Sequence, residues 1–187
     1  MSITCFVGLG NPGDGYKLTR HNVGFWFIER LAKEQGAVLR RCAQAKGRSA
    51  RLMLADHRIH LFCPSVFMNH NGSAIAAYCR YHQIPPDALM VVHDDLDFAP
   101  GVVRLKKSGG AGGHNGLRDV TSAMGSADYC RMRFGIGRGP DLNRTSDYVL
   151  GKPSRSDTQA IDGAITQMLH SVSSLIVFGT FNVLPLI

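Results

Sequence analysis

Two glycine-bounded segments each carry a His-Asn pair. One is Thr19-Arg20-His21-Asn22, which follows Gly8-Leu9-Gly10-Asn11-Pro12-Gly13; the other is Gly112-Gly113-His114-Asn115-Gly116. Between them lies His93-Asp94-Asp95-Leu96-Asp97. Imidazole titrates nearer neutrality than any other side chain, which suits it to proton transfer. A neighbouring carboxylate raises its basicity and selects one tautomer. Glycine lets backbone approach a ligand closely. The three segments predict an acid–base site assembled from separate stretches of chain, with Asp94 or Asp95 as the carboxylate. His21 is expected just ahead of a helix, whose N-terminal amides disfavour a protonated ring and hold it neutral, as a base should be. A plain capping or surface histidine is the ordinary alternative.

Other chemistries fit less well. Gly8 to Gly13 reads G-x-G-x-x-G after an apolar run, the spacing of a dinucleotide-binding turn. That turn needs a helix to start at once, whereas Pro12, Gly13, Asp14 and Gly15 delay it to about Asn22. No nicotinamide cofactor is expected; a structural turn, or a substrate loop presenting the Asn11 amide, remains. The acidic run around Asp94 does not resemble a calcium loop, and neighbouring strand residues point oppositely, so no metal is expected. The glycines from Ser108 to Gly116 suit either an anion cradle or a disordered hairpin tip. Arg104 and Lys106 share one strand face, as do Arg131 and Arg133, so the four either clamp a phosphate or coat a solvated face. There is no G-x-S-x-G elbow and no cysteine in a catalytic setting. Water activated by histidine, with asparagines positioning the substrate, is what remains.

The scaffold must bring these segments together. The chain has 187 residues, 44% hydrophobic and 19% charged, which predicts a single folded domain over 1–187. Its net charge of +7 favours a polyanionic partner, nucleic acid before a membrane surface. Five scattered cysteines without a C-x-x-C pair predict reduced thiols and a cytoplasmic location. No apolar run is long enough to span a bilayer, since polar residues interrupt Leu169 to Ile187. Strands are expected at Ile3–Val7, Arg51–Leu54, Ile59–Cys63, Leu89–His93, Val102–Lys106 and Tyr129–Ile136. Helices are expected at Val23–Gln35, with Asn22 as N-cap and Gly36 as stop, and at Ser73–His82, Leu117–Met124 and Thr158–Val177. A long polar loop is expected from Arg138 to Asp157. The alternation predicts an α/β fold, a twisted sheet with helices on both faces, made mixed by an antiparallel strand near Ile59–Cys63.

Taken together, the segments resemble the bacterial-type peptidyl-tRNA hydrolase family. The carriers are Val7 to Gly13, Tyr16, Thr19 to Gly24 and Pro64-Ser65-Val66-Phe67-Met68-Asn69. They continue through His93 to Asp97, Gly112 to Leu117, Arg133-Phe134-Gly135-Ile136-Gly137 and Val149-Leu150-Gly151-Lys152-Pro153. One segment alone is weak; all of them in this order are highly specific. The resemblance implies hydrolysis of the ester joining a peptide, or an N-blocked amino acid, to the tRNA 3′ end. By that pattern His21 is the general base, Asp94 holds it, and Asn11 binds near the scissile carbonyl. Tyr16, Phe67, Asn69 and Asn115 match substrate-contacting positions, and His114 is placed with them. Lys106 and Arg133 match a cationic pair gripping the tRNA 5′ phosphate. The family implies a monomer without a metal or other cofactor. Two departures stand out. His70-Asn71-Gly72 replaces a usual Ser-Gly pair at the pocket rim, and Phe181 to Ile187 lacks the usual basic ending.

Overall fold

A computed structural model describes residues 2–178. The first strand, β1 (Cys5–Gly8), is buried along its whole length. It becomes the centre of a seven-stranded sheet because it is apolar on both faces. Its neighbours are β4 (His57–Pro64) and β5 (Leu89–Asp95), both parallel to it. The order is β2-β3-β4-β1-β5-β7-β6, with β2 (Arg40–Cys42) and β3 (Gly47–Leu54) antiparallel at one edge. At the other, β7 (Cys130–Gly135) runs parallel to β5 and β6 (Val103–Lys107) antiparallel to β7. The expected mixed sheet is therefore present. The chain leaves β1 to build on both of its sides. Such a reversal opens a crevice at the carboxyl ends of the strands, where open α/β sheets bind ligands.

Helices cover both faces. Strand residues of alternate parity separate two cores: Met90 and Val92 join α1 (Val23–Glu34) and α5 (Arg155–Phe178), while Leu89 and Val91 join α2 (Asn71–Tyr81) and α3 (Asn115–Met124). Along α5, Ile161, Ile165, Met168, Val172 and Ile176 recur at helical spacing and are buried. All five cysteines are buried, and none is in a disulfide. No helix among the described residues is long and apolar enough to cross a membrane.

Five local expectations are corrected. Strand β2 was not expected, and β3 begins at Gly47 rather than Arg51. The Arg40-Arg41 and Arg48-Ser49 stretches lack the apolar–polar alternation that marks a strand. The stretch from 138 to 157 is no simple loop: it holds a 3₁₀ turn at Leu142–Arg144 and a short helix, α4 (Thr145–Val149). Helix α5 starts at Arg155, before Thr158, because Ser154 Oγ accepts from the Asp157 N–H at 3.1 Å. Asn22 precedes α1 without capping it, for its amide bonds elsewhere. Gly36 does end α1, with a φ of 63°, while the Ala37 N–H reaches back to the Ala32 carbonyl at 2.8 Å. The atypical ending Phe181 to Ile187 lies outside the described residues.

One contact positions the site above all. A Cβ on Gly24 would stand 2.4 Å from the Val92 carbonyl oxygen and 2.6 Å from the Leu9 nitrogen. A Cβ on Gly8 would stand 2.3 Å from the Gly24 carbonyl oxygen. Helix α1 thus lies backbone to backbone against β1 and β5, which carries His21 over the end of β5. Backbone cannot yield as a side chain can. Gly24→Ala is expected to destabilise the fold by about 3 kcal/mol, the upper end of overpacking, read as a lowered denaturant midpoint. An unchanged midpoint would mean that this packing is looser than described.

Candidate active site

His21 lies in a 3₁₀ turn, Arg20–Asn22, and is buried with Asp94 at the carboxyl end of β5. Its Nδ1 is 2.9 Å from both carboxylate oxygens of Asp94. His114 approaches from the loop before α3, its Nε2 3.0 Å from Asp94 Oδ1. The tautomers follow from the partners. The Leu117 N–H donates to His114 Nδ1 at 3.2 Å, so that nitrogen carries a lone pair and the Nε2–H donates to Asp94. The His21 Nδ1–H also donates to Asp94, which leaves the Nε2 lone pair of His21 as the available base. Asp95 faces the other way and accepts from Arg133 Nε at 2.7 Å. Geometry therefore selects Asp94 over Asp95.

The expected neutralising effect of a helix N-terminus on His21 is corrected. Burial is the largest influence and disfavours the imidazolium. The charge of Asp94 and its hydrogen bond together outweigh it, so the His21 pKa is raised above 6.5. Asp94 is fully buried, which by itself raises a carboxyl pKa. His21 and His114 reverse that and hold it well below the usual carboxylate range. His93 behaves differently: burial and the nearby His114 push it down to about 3, so it stays neutral while its Nδ1–H donates to the Asp94 carbonyl at 2.6 Å. His21, Asp94 and His114 are also the one group among the described residues with metal-like spacing, their donor atoms within 4.8 Å of one another. Hydrogen bonding accounts for that convergence, since both imidazoles point at the carboxylate.

Asparagines form the rest of the site, in two roles. Asn11 Oδ1 accepts from the Met68 N–H at 2.7 Å, so its NH₂ group is the part left for the crevice. Asn22 fixes Asn11 from behind, exchanging 2.9 Å bonds with its N–H and carbonyl. Asn71 is fully buried and ties the Gly10 N–H and carbonyl to the carbonyls of Val66 and Phe67. It braces the pocket rim from beneath, so the departure at residues 70–72 carries a structural residue. Neither bracing role was foreseen. Each partner lies on a remote loop, 11 and 61 residues away, so local spacing carried no signal. Asn69 and Asn115 stand on the crevice wall, and Tyr16 meets Phe67 edge to face at 5.9 Å beside them.

The crevice measures about 880 Å³ and runs from Asn11 and His21 to Lys106 and Arg133. All ten residues singled out in the sequence line it. The four cations singled out on β6 and β7 do not act alike. Lys106 is exposed, and Arg133, over the Phe98 ring, pairs with Asp95. Arg104 bonds the Val103 carbonyl and lies outside the crevice lining. Arg131 is buried and donates to the carbonyls of Gly109 and Gly110, the latter at 2.6 Å. The glycine loop is thus latched to the sheet, which removes the alternative of a disordered hairpin tip. Arg131→Met should free that loop and raise KM about tenfold, with kcat changed less than about threefold, as two lost charged hydrogen bonds allow. Steady-state kinetics with hydrogen exchange at 108–113 would check this; unchanged exchange would refute the latch.

A histidine steadied by a buried carboxylate, ringed by amides at the carboxyl ends of parallel strands, has the equipment of a general base. Comparison with known proteins supplies the family. The sequence profile described as peptidyl-tRNA hydrolase matches residues 5–183. The peptidyl-tRNA hydrolase of Methylococcus capsulatus is 51% identical over 174 residues, 93% of this chain and 92% of that one. That of Nitrosomonas europaea is 44% identical over 181 residues, covering 97% and 92%. The crystal structure of the Acinetobacter baumannii peptidyl-tRNA hydrolase superposes with a TM-score of 0.90 at 42% identity, covering 95% of this chain and 89% of that one. The chain belongs to the peptidyl-tRNA hydrolase family.

Proposed function

We propose that this single-domain protein works in the cytoplasm as a monomer, and that His21 and Asp94 carry its chemistry. It is an enzyme that hydrolyses the ester between peptide and tRNA in peptidyl-tRNA. The observation that carries the mechanism is the contact of His21 Nδ1 with Asp94 at 2.9 Å, from which the tautomer with Nδ1–H on Asp94 and a lone pair on Nε2 follows.

A water molecule gives its proton to His21 Nε2 as its oxygen attacks the ester carbonyl. The carbonyl electrons move to oxygen, and the oxyanion meets amide N–H groups of the Asn11, Asn69 and Asn115 set. Collapse breaks the bond to the ribose oxygen, which takes the proton back from the imidazolium. The products are a carboxylic acid and tRNA with a free 3′ hydroxyl. No covalent enzyme intermediate is needed, because an ester is already activated. Asp94 stabilises the imidazolium through its charge. Tyr16 and Phe67 flank the acyl end, and His114 donates to Asp94 beside His21. Lys106 and Arg133, at the far end of the crevice, take the 5′ phosphate of the acceptor stem.

Turnover of N-acetyl-aminoacyl-tRNA tests this reading. The expected result is release of N-acetyl amino acid and intact tRNA, with small acyl esters cleaved far more slowly. Absence of turnover, or equal rates on small esters, would contradict it.

A further inference from the structure

The arginines fall into two groups. Arg20, Arg30, Arg48, Arg133, Arg138 and Arg144 are ion-paired, while Arg104, Arg118 and Arg131 donate hydrogen bonds. Among the described residues, Arg40, Arg41, Arg51, Arg58, Arg80 and Arg155 have a guanidinium with neither. Four of these six sit together on the β2–β3–β4 hairpins. Arg40 pairs across the sheet with Ser49, Arg41 with Arg48, Arg51 with His60 and Arg58 with Met53. Strand parity puts Arg40, Arg51, Arg58 and His60 on one face, the face that α2 packs against. Arg40, Arg41 and Arg51 also line a depression of about 380 Å³ at this edge.

Rings complete the surface. His60 lies 4.7 Å from His82, and Tyr81, 59% exposed, meets His82 edge-on at 4.9 Å. Burial pushes His60 down to about 4, followed by His82, Arg51 and Arg58, and His82 is lowered by burial and then Arg51. Cations on an edge strand can simply block unwanted strand pairing. That does not account for Arg51 and Arg58, which sit on the inner strands β3 and β4. Like charges without an ion pair, held together on an exposed face, call for an anion.

We propose that this face is a second RNA-binding surface, where Arg40, Arg51 and Arg58 take the phosphodiester backbone of a single-stranded RNA while Tyr81 and His82 offer rings for its bases. The surface is separate from the crevice. From the pairing of Arg51 with His60, and of His60 with Cys5, it lies roughly 20 Å from Asp94, by strand spacing and rise. The Lys106–Arg133 end of the crevice is at the opposite sheet edge. A substrate tRNA held there by its 5′ phosphate runs its stem outward, away from β2 and β3. The RNA on this face is therefore a second molecule; that clause alone rests on the proposed tRNA footprint.

The test combines Arg40→Gln, Arg51→Gln and Arg58→Gln. Fluorescence anisotropy would follow a labelled twelve-nucleotide single-stranded RNA, with the crevice filled by excess unlabelled acceptor minihelix. The expected result is an affinity at least about tenfold weaker and a salt slope lower by about two, at ~0.7 per lost phosphate contact. Turnover of N-acetyl-aminoacyl-tRNA should stay unchanged, which also reports an intact fold. Tyr81→Ala should weaken the RNA several-fold and leave the salt slope alone, as loss of stacking does. Unchanged RNA affinity in the triple variant would overturn the proposal, whether or not it loses binding to anionic lipid vesicles. So would a matching fall in tRNA turnover, which would assign the face to the substrate's own footprint.

Discussion

His21→Ala should lower kcat on N-acetyl-aminoacyl-tRNA by about 10³- to 10⁴-fold, the range set by loss of a positioned general base. Affinity for tRNA should change little, because the proposed grip on the nucleic acid falls to Lys106 and Arg133, which line the crevice away from His21. The size of the effect follows from the surroundings. His93 is also buried nearby, but it is pushed down to about 3 and its Nδ1–H is tied to a backbone carbonyl, so it is a poor substitute base. His114 has its Nδ1 engaged by the Leu117 N–H and its Nε2–H on Asp94, so it offers no free lone pair. Single-turnover kinetics with a separate tRNA-binding measurement would check both halves. A loss of less than about tenfold would remove His21 from the base role.

Asp94→Asn should cost about 10²- to 10³-fold in kcat, through tautomers more than through charge alone. The carboxylate accepts from two imidazoles at once. An amide has one accepting oxygen and one donating NH₂. His114 cannot turn its proton around without losing the Leu117 N–H, so it keeps the oxygen. His21 then faces the NH₂ group, accepts through Nδ1 and carries its proton on Nε2, where the lone pair is needed. The pH profile adds a signed test. In the native protein Asp94 raises the His21 pKa, so the active, unprotonated form appears only above a midpoint higher than 6.5. Without that charge, burial alone remains and lowers the pKa. The acid limb of the residual activity should therefore move to lower pH in the Asn variant. A limb that stays in place would mean that another group sets it.

Much of the site was legible because its residue types are rare in combination. Imidazoles between glycines, and acids at the end of an apolar run, announce proton transfer before any fold is known. What the residues left open was the choice between Asp94 and Asp95, which depends on strand parity: Asp94 turns to the α1 side, where His21 arrives, and Asp95 to Arg133. Equal parity likewise made Arg131 and Arg133 look alike. Only the path of the glycine loop shows that Arg131 serves backbone carbonyls and Arg133 a carboxylate pair. Asn22 and Asn71 act on loops 11 and 61 residues away, a relation that local spacing does not encode. In the fold, the strongly periodic helix α5 and the apolar strands β1 and β5 were readable in type. Strand β2, three residues with exposed arginines, forms only because β3 is there to pair with.

The most direct test of the mechanism follows kcat/KM for N-acetyl-aminoacyl-tRNA from about pH 5 to about pH 9, beside an NMR titration of the His21 ring in the same free enzyme. The account predicts that the rate rises with pH along one acid limb, whose midpoint coincides with that of His21 and lies above 6.5. A rate that ignores the His21 titration, or that falls as the ring loses its proton, would contradict it.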